Sequence, residues 1–238
     1  MNKHRFWNWV RDADSGSRAL YILGAIAEDP WLEDDVTPKA FREELFADTG
    51  DVTLYIHSPG GDVFAASQIY TMLMDYPGNV TVKIEGLAAS AASVIAMAGA
   101  TVLMAPTAML MLHDPSTIAI GNAEEMQRAI EMLAAVKESI ITAYEIKTGL
   151  SRAKLSKLMA AESWLYAGDA IKLGFADGMI EGAVTCGGAA AFGAATENQI
   201  FSRAAVTNSL LDKIRPPAKK EPGIPVRSLE QRLSLILH

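Results

Sequence analysis

Short apolar runs bounded by glycine, proline, asparagine and aspartate alternate along this chain with longer stretches whose apolar positions recur every three or four residues. The runs 19–26, 52–56, 80–84, 101–104 and 108–112 have the length and aliphatic content of strands. Residues 38–46, 63–74 and 91–98 carry the helical period. The first of these helices is opened by Thr37 as cap with Pro38 at the first helical position, and the third is ended by Gly99. Strand and helix taken in turn predict an α/β domain built on a sheet.

One helix outgrows that pattern. From Asn122, with Glu124 and Glu125 in the first turn, apolar residues recur at Met126, Ile130, Leu133, Val136, Ile140 and Tyr144 until Gly149. The helix 122–147 spans about 39 Å at 1.5 Å per residue, more than one sheet domain readily covers. Apolar surface on that scale predicts packing against another copy of the chain; folding back onto its own sheet is the competing outcome.

From Gly86 to Leu112 no residue is charged, a length that could span a bilayer. Gly86, Gly99 and Pro106 interrupt it and its second half is strand-like, so it reads as buried core, with no membrane partner. The beginning, MNKHRFWNWVRDAD, mixes charges with tryptophans and has no apolar core of a signal peptide, so neither secretion nor anchoring is expected. Twenty-eight acids against 21 bases give a net charge of −7, which opposes binding to nucleic-acid phosphates. Cys186 stands alone, and no C-x-x-C or HExxH occurs, so no disulfide framework, metal or cofactor is expected, and the cytoplasm is the expected compartment. Beyond Glu181 the chain turns small and flexible, passes the breaker RPPAKKEPGIP, and ends in a capping box at Ser228 and Gln231 that opens a short amphipathic helix. Three parts follow: an N-terminal segment 1–17, a domain 18–181 and a flexible tail 182–238. The tail is expected to serve docking or to be trimmed by the protein itself.

The candidate chemistry lies in 58–113. Ser90 follows a glycine-led turn and opens the 91–98 helix, which puts its hydroxyl at a helix N-terminus, where negative charge on oxygen is favoured. Ser93, one turn on, is the rival nucleophile, although inside a helix its hydroxyl can bond back to a carbonyl. A serine needs a base within hydrogen-bond reach. His113 emerges at the end of the 108–112 strand, and His57, just before SPGG, competes with it. The Pro-Gly-Gly turn between strand and helix frees backbone N–H groups to face a ligand, either an oxyanion or a phosphate, though no GK[ST] or GxGxxG supports a phosphate.

SPGGD, GLAAS, MLHDP and AESWLYAGDAIKLGFAD, in this order and spacing, closely resemble the proteolytic subunit of the Clp protease and its relatives. The stretch from Leu54 to Gly99 looks most like the Clp-like head maturation (prohead) proteases of tailed bacteriophages. The resemblance implies the stacked ββα spiral of the Clp and crotonase superfamily with a protruding handle helix, here 122–147, between stacked rings. It also implies a serine endopeptidase acting on proteins or peptides, with phage capsid or scaffold proteins as substrates in the phage branch. The family's catalytic serine falls on Ser90, its histidine on His113 and its acid on Glu162, where the Clp subunit has aspartate; the oxyanion would meet the N–H groups of Gly61 and Ala91. Asp114 adjoins His113, but successive strand residues point to opposite faces, whereas Glu162 ends a 152–161 helix capped by Ser151 and leads into Trp164, which could bury the site. The 1–17 segment does not resemble the family's axial loops, which argues against an unfoldase partner. General ATP-dependent degradation, a crotonase-like acyl-CoA enzyme and a catalytically silent ring component are the alternatives.

Overall fold

The computed structural model describes residues 5–11, 18–26 and 38–180. The expected tail 182–238 with its terminal helix, Cys186 and the Thr37 cap lie outside the described residues. The described part is an α/β domain built on one sheet, as the alternation predicts, and is consistent with the fold that the resemblance implies.

Strands β1 (Trp7–Arg11), β2 (Arg18–Leu23), β3 (Val52–Ser58), β4 (Val80–Ala89), β5 (Thr101–Met104) and β8 (Gly178–Met179) lie side by side in that order. Only β1 runs antiparallel to its neighbour in this path. It lies in the segment that sequence reading sets apart from the domain, yet it pairs with β2 along its whole length and buries Trp7 in the core. Leu54, Ile56, Val82, Ile84, Val102 and Met104 alternate inward and are essentially fully buried. Helices α1 (Pro38–Leu45), α2 (Val63–Met74) and α3 (Ala91–Ala96) supply the partners of this core, among them Phe41, Ile69 and Ile95.

Two departures from the expected elements shape the site. The strand expected at 80–84 continues to Ala89, because Gly86 is an irregularity within β4 rather than its end. The β3–β4 register slips between Ile56 and Ser58 at this point. Having passed β5, β4 then takes a second partner, β6 (Met109–Leu112), with Ala89 opposite Met111. A further strand, β7 (Ser163–Tyr166), pairs antiparallel with β6 and leads into helix α6 (Ala167–Lys172). Residues 86–112 are thus strand, helix and two strands within the core, and among the described residues no helix is long and apolar enough to cross a membrane.

The long helix α4 (Ala123–Thr148) is capped as expected. Asn122 and Glu125 form a reciprocal capping box, and Gly149 closes it at φ 67. Its inner end is sunk in the core through Ile140, Ile141 and Tyr144, while Ile130 and Met132 are 60% and 42% exposed. Val136 packs partly against the chain's own core, so the surface left uncovered lies further out than 136. Helix α5 (Arg152–Ala160), capped by Ser151, is clamped to α4 by Arg152, which bonds Glu138 at 2.6 Å and Glu145 at 2.7 Å.

Candidate active site

The pairing of β4 with β6 places the serine. After Ala89 meets Met111, the Ser90 N–H donates to the Met111 carbonyl at 3.0 Å. The backbone then turns sharply at Ser90, with φ 54 and ψ −124, and α3 begins at Ala91. Such a conformation costs a non-glycine residue about 1–3 kcal/mol and lifts the side chain clear of both strand and helix. Ser90 is the N-cap of α3, yet its hydroxyl makes no capping bond. Instead, Oγ lies 2.7 Å from Nε2 of His113.

His113 leaves β6 two residues after the Met111 carbonyl that holds Ser90, so one strand fixes both groups. Its neighbour Asp114 turns away to an ion pair with Lys137 of α4 at 2.8 Å. Glu162 enters from β7. Leu112 stands opposite Ser163, so Glu162 immediately precedes β7 where His113 immediately follows β6. Glu162 has φ 48, and among the described residues its carboxylate makes no hydrogen bond, to His113 or to another group. Serine and histidine are therefore in contact, and Glu162 lies next to the β6–β7 pairing that carries His113. Trp164, the residue that follows Ser163 in β7, is 42% exposed.

The SPGGD turn closes against the serine. Gly60 and Gly61 have φ 98 and 148, and a Cβ on Gly60 would lie 2.7 Å from the Ala89 carbonyl oxygen and 2.8 Å from Ser90 Cβ. Only glycine allows this approach. Gly60 and Asp62 bridge to Ile26 through backbone bonds of 2.8 and 3.0 Å, and Asp62 caps α2 by accepting from the N–H groups of Phe64 and Ala65. Among the described residues, the N–H groups of Gly61 and Ala91 have no acceptor.

The two rivals sit elsewhere. Ser93 is fully buried; its Oγ lies 2.5 Å from the Ser90 carbonyl oxygen and 2.8 Å from the Tyr144 hydroxyl. His57 is exposed and lies against Gly86, where a Cβ would come within 2.5 Å of its Nδ1. Tyr144 was legible only as an apolar position of α4. A tyrosine on a buried helix stripe, whose hydroxyl must find a partner, was the available signal. Among the described residues no group of three or more His, Cys, Asp or Glu is arranged to hold a metal ion.

The model of the Clp protease family matches residues 30–183. Similar chains include an ATP-dependent Clp protease proteolytic subunit 1 of Chlamydia muridarum, 31% identical over 69% of this chain and 86% of that one. The corresponding subunit of Ligilactobacillus salivarius is 27% identical over 72% of this chain and 93% of its own. That of Porphyromonas gingivalis is 29% identical over 62% and 70%. A match over most of the chain, together with these relatives, establishes that the chain belongs to the Clp protease family.

Proposed function

We propose that the protein is a serine endopeptidase and that Ser90, His113 and Glu162 are its catalytic residues. The reading rests above all on the 2.7 Å contact between Ser90 Oγ and His113 Nε2. For Nε2 to accept the serine proton, the neutral imidazole must carry its own proton on Nδ1. Ser90 then attacks the scissile carbonyl, and Nε2 takes the hydroxyl proton and returns it to the leaving amine. Glu162 stabilises the imidazolium from the neighbouring strand end, reaching Nδ1 by a change of side-chain rotamer. The N–H groups of Gly61 and Ala91 receive the oxyanion, each donor worth about 3–4 kcal/mol in comparable enzymes.

Assembly follows from α4. Its outer apolar positions, Ile130 among them, fit a homo-oligomeric ring joined through this helix. The narrower reading takes capsid or scaffold proteins as substrates during phage head maturation, and it rests on the resemblance of the Leu54–Gly99 stretch. The relatives' names, each an ATP-dependent Clp protease subunit, favour a second reading, degradation with an unfoldase partner. Digestion of folded capsid precursor without ATP supports the first; a requirement for an ATP-driven partner supports the second. A fluorophosphonate probe tests the reading common to both: it should label the chain once, at Ser90, and the absence of labelling in a preparation of folded protein would overturn it.

A further inference from the structure

The inner end of α4 reaches the backbone of the nucleophile. Ser93 Oγ contacts both the Ser90 carbonyl oxygen, at 2.5 Å, and the Tyr144 hydroxyl, at 2.8 Å. A carbonyl can only accept, so the single Ser93 hydroxyl proton is directed at Ser90, and Tyr144 O–H must donate to Ser93 Oγ. Water offers neither group an alternative, since Ser93 is 0% and Tyr144 1% exposed. Burial also raises the pKa of the Tyr144 phenol well above its ordinary value, which keeps it protonated as a donor.

The carbonyl at the end of this line belongs to the Ser90–Ala91 peptide. That unit is planar, with C=O and N–H pointing in opposite directions, so whatever fixes the carbonyl also aims the Ala91 N–H. The Ser93 N–H reinforces the same oxygen at 3.0 Å. We infer that Ser93 and Tyr144 are positioning residues for the Ala91 oxyanion donor, joined to it by a continuous line of hydrogen bonds: Tyr144 O–H to Ser93 Oγ, Ser93 O–H to the Ser90 carbonyl, and the Ala91 N–H to the substrate oxygen. Two physical effects act along it. The bonds oppose the peptide rotation by which the strained Ser90 backbone would relax. They also draw electron density toward the carbonyl oxygen, so the N–H on the other side of the amide becomes a stronger donor. This rests on the serine-peptidase reading and deepens it.

The test uses the full chain as wild type, Ser93→Ala, Ser93→Cys, Tyr144→Phe and the double variant Ser93→Ala/Tyr144→Phe. The readouts are hydrolysis of a fluorogenic peptide, binding of a peptide boronate that mimics the tetrahedral intermediate, and binding of an uncleaved product peptide. Because a misaimed donor loses part of the effect of a deleted one, kcat should fall about fivefold in Tyr144→Phe and about 20-fold in Ser93→Ala, with KM within twofold of wild type. Ser93→Cys, a weaker donor, should fall between wild type and Ser93→Ala. The double variant should be no worse than Ser93→Ala, since Tyr144 acts through Ser93. Boronate affinity should drop in parallel with kcat while product binding stays constant. Should Ser93→Ala fail to fold, Tyr144→Phe, which removes one oxygen, carries the test. Folded variants with wild-type kcat and boronate affinity would overturn the inference, as would a fall in kcat without a fall in boronate affinity. A wild type that neither hydrolyses peptide nor reacts with fluorophosphonate would overturn the peptidase reading and this inference with it, whereas an active wild type with indifferent variants overturns this inference alone.

Discussion

The corner around Ser90 and the outer half of α4 are built on opposite principles. At the corner the Ser90 backbone is overdetermined: its N–H is held by Met111, its carbonyl by Ser93, and its side is closed by Gly60. Such redundancy holds a strained residue in place. Along α4 the apolar stripe Met126, Ile130, Leu133, Ile140 and Tyr144 is continuous in sequence, but its cover is not. Ile140 and Tyr144 are buried, and Ile130, nearly three turns further out than Ile140, is 60% exposed. One region is completed by its own chain, and the other stays exposed among the described residues. Chemistry should therefore respond to single atoms at the corner, and assembly to charge on the helix, with Tyr144 as the point where the two regions meet.

Four changes would break or sharpen this contrast. Ser90→Ala should lower peptide hydrolysis by about 10³-fold or more while leaving particle size in light scattering unchanged, because it removes one oxygen and no packing. A variant that lost its assembly as well would show the two regions to be one. Gly60→Ala should reduce hydrolysis by about 100-fold and stability by about 1–3 kcal/mol in denaturant titrations, since its Cβ meets the Ala89 carbonyl and Ser90 Cβ at φ 98. Glu162→Gln should lower kcat about tenfold, with KM unchanged in steady-state kinetics. A near-neutral effect would leave His113 oriented by another group. Ile130→Glu should lower the oligomeric order seen in light scattering, yet change the stability of the individual chain by no more than about 0.5 kcal/mol, as for an exposed site.

Much of this was legible in sequence where one residue type had one physical use. The strand 101–104 and the helix 63–74 are found within those bounds, and Asn122, Gly149 and Ser151 cap the helices they were expected to cap. The extension of β4 through Gly86 to Ala89 was not, because a glycine that interrupts a strand pattern marks an end and an internal irregularity equally well. Strand β7 escaped notice because SWLY is four residues with one buried side chain, too short to show a period. Its pairing with β6 joins Ser163 to Leu112, the neighbours of Glu162 and His113, and left no period to read, so Glu162 is nominated as the acid only through resemblance. Strand β1 was hidden by the mixture of charge and tryptophan in its sequence, and the positive φ of Ser90 leaves no trace in composition.

The central claim is that the hydroxyl facing His113 is the reactive one. Intact-mass and peptide mass spectrometry of the chain after brief exposure to a fluorophosphonate test it most directly. A single adduct on Ser90, absent in Ser90→Ala and slowed at least tenfold in His113→Ala, is the expected result. An adduct on Ser93, or full peptide hydrolysis by a chain whose Ser90 stays unmodified, would contradict it.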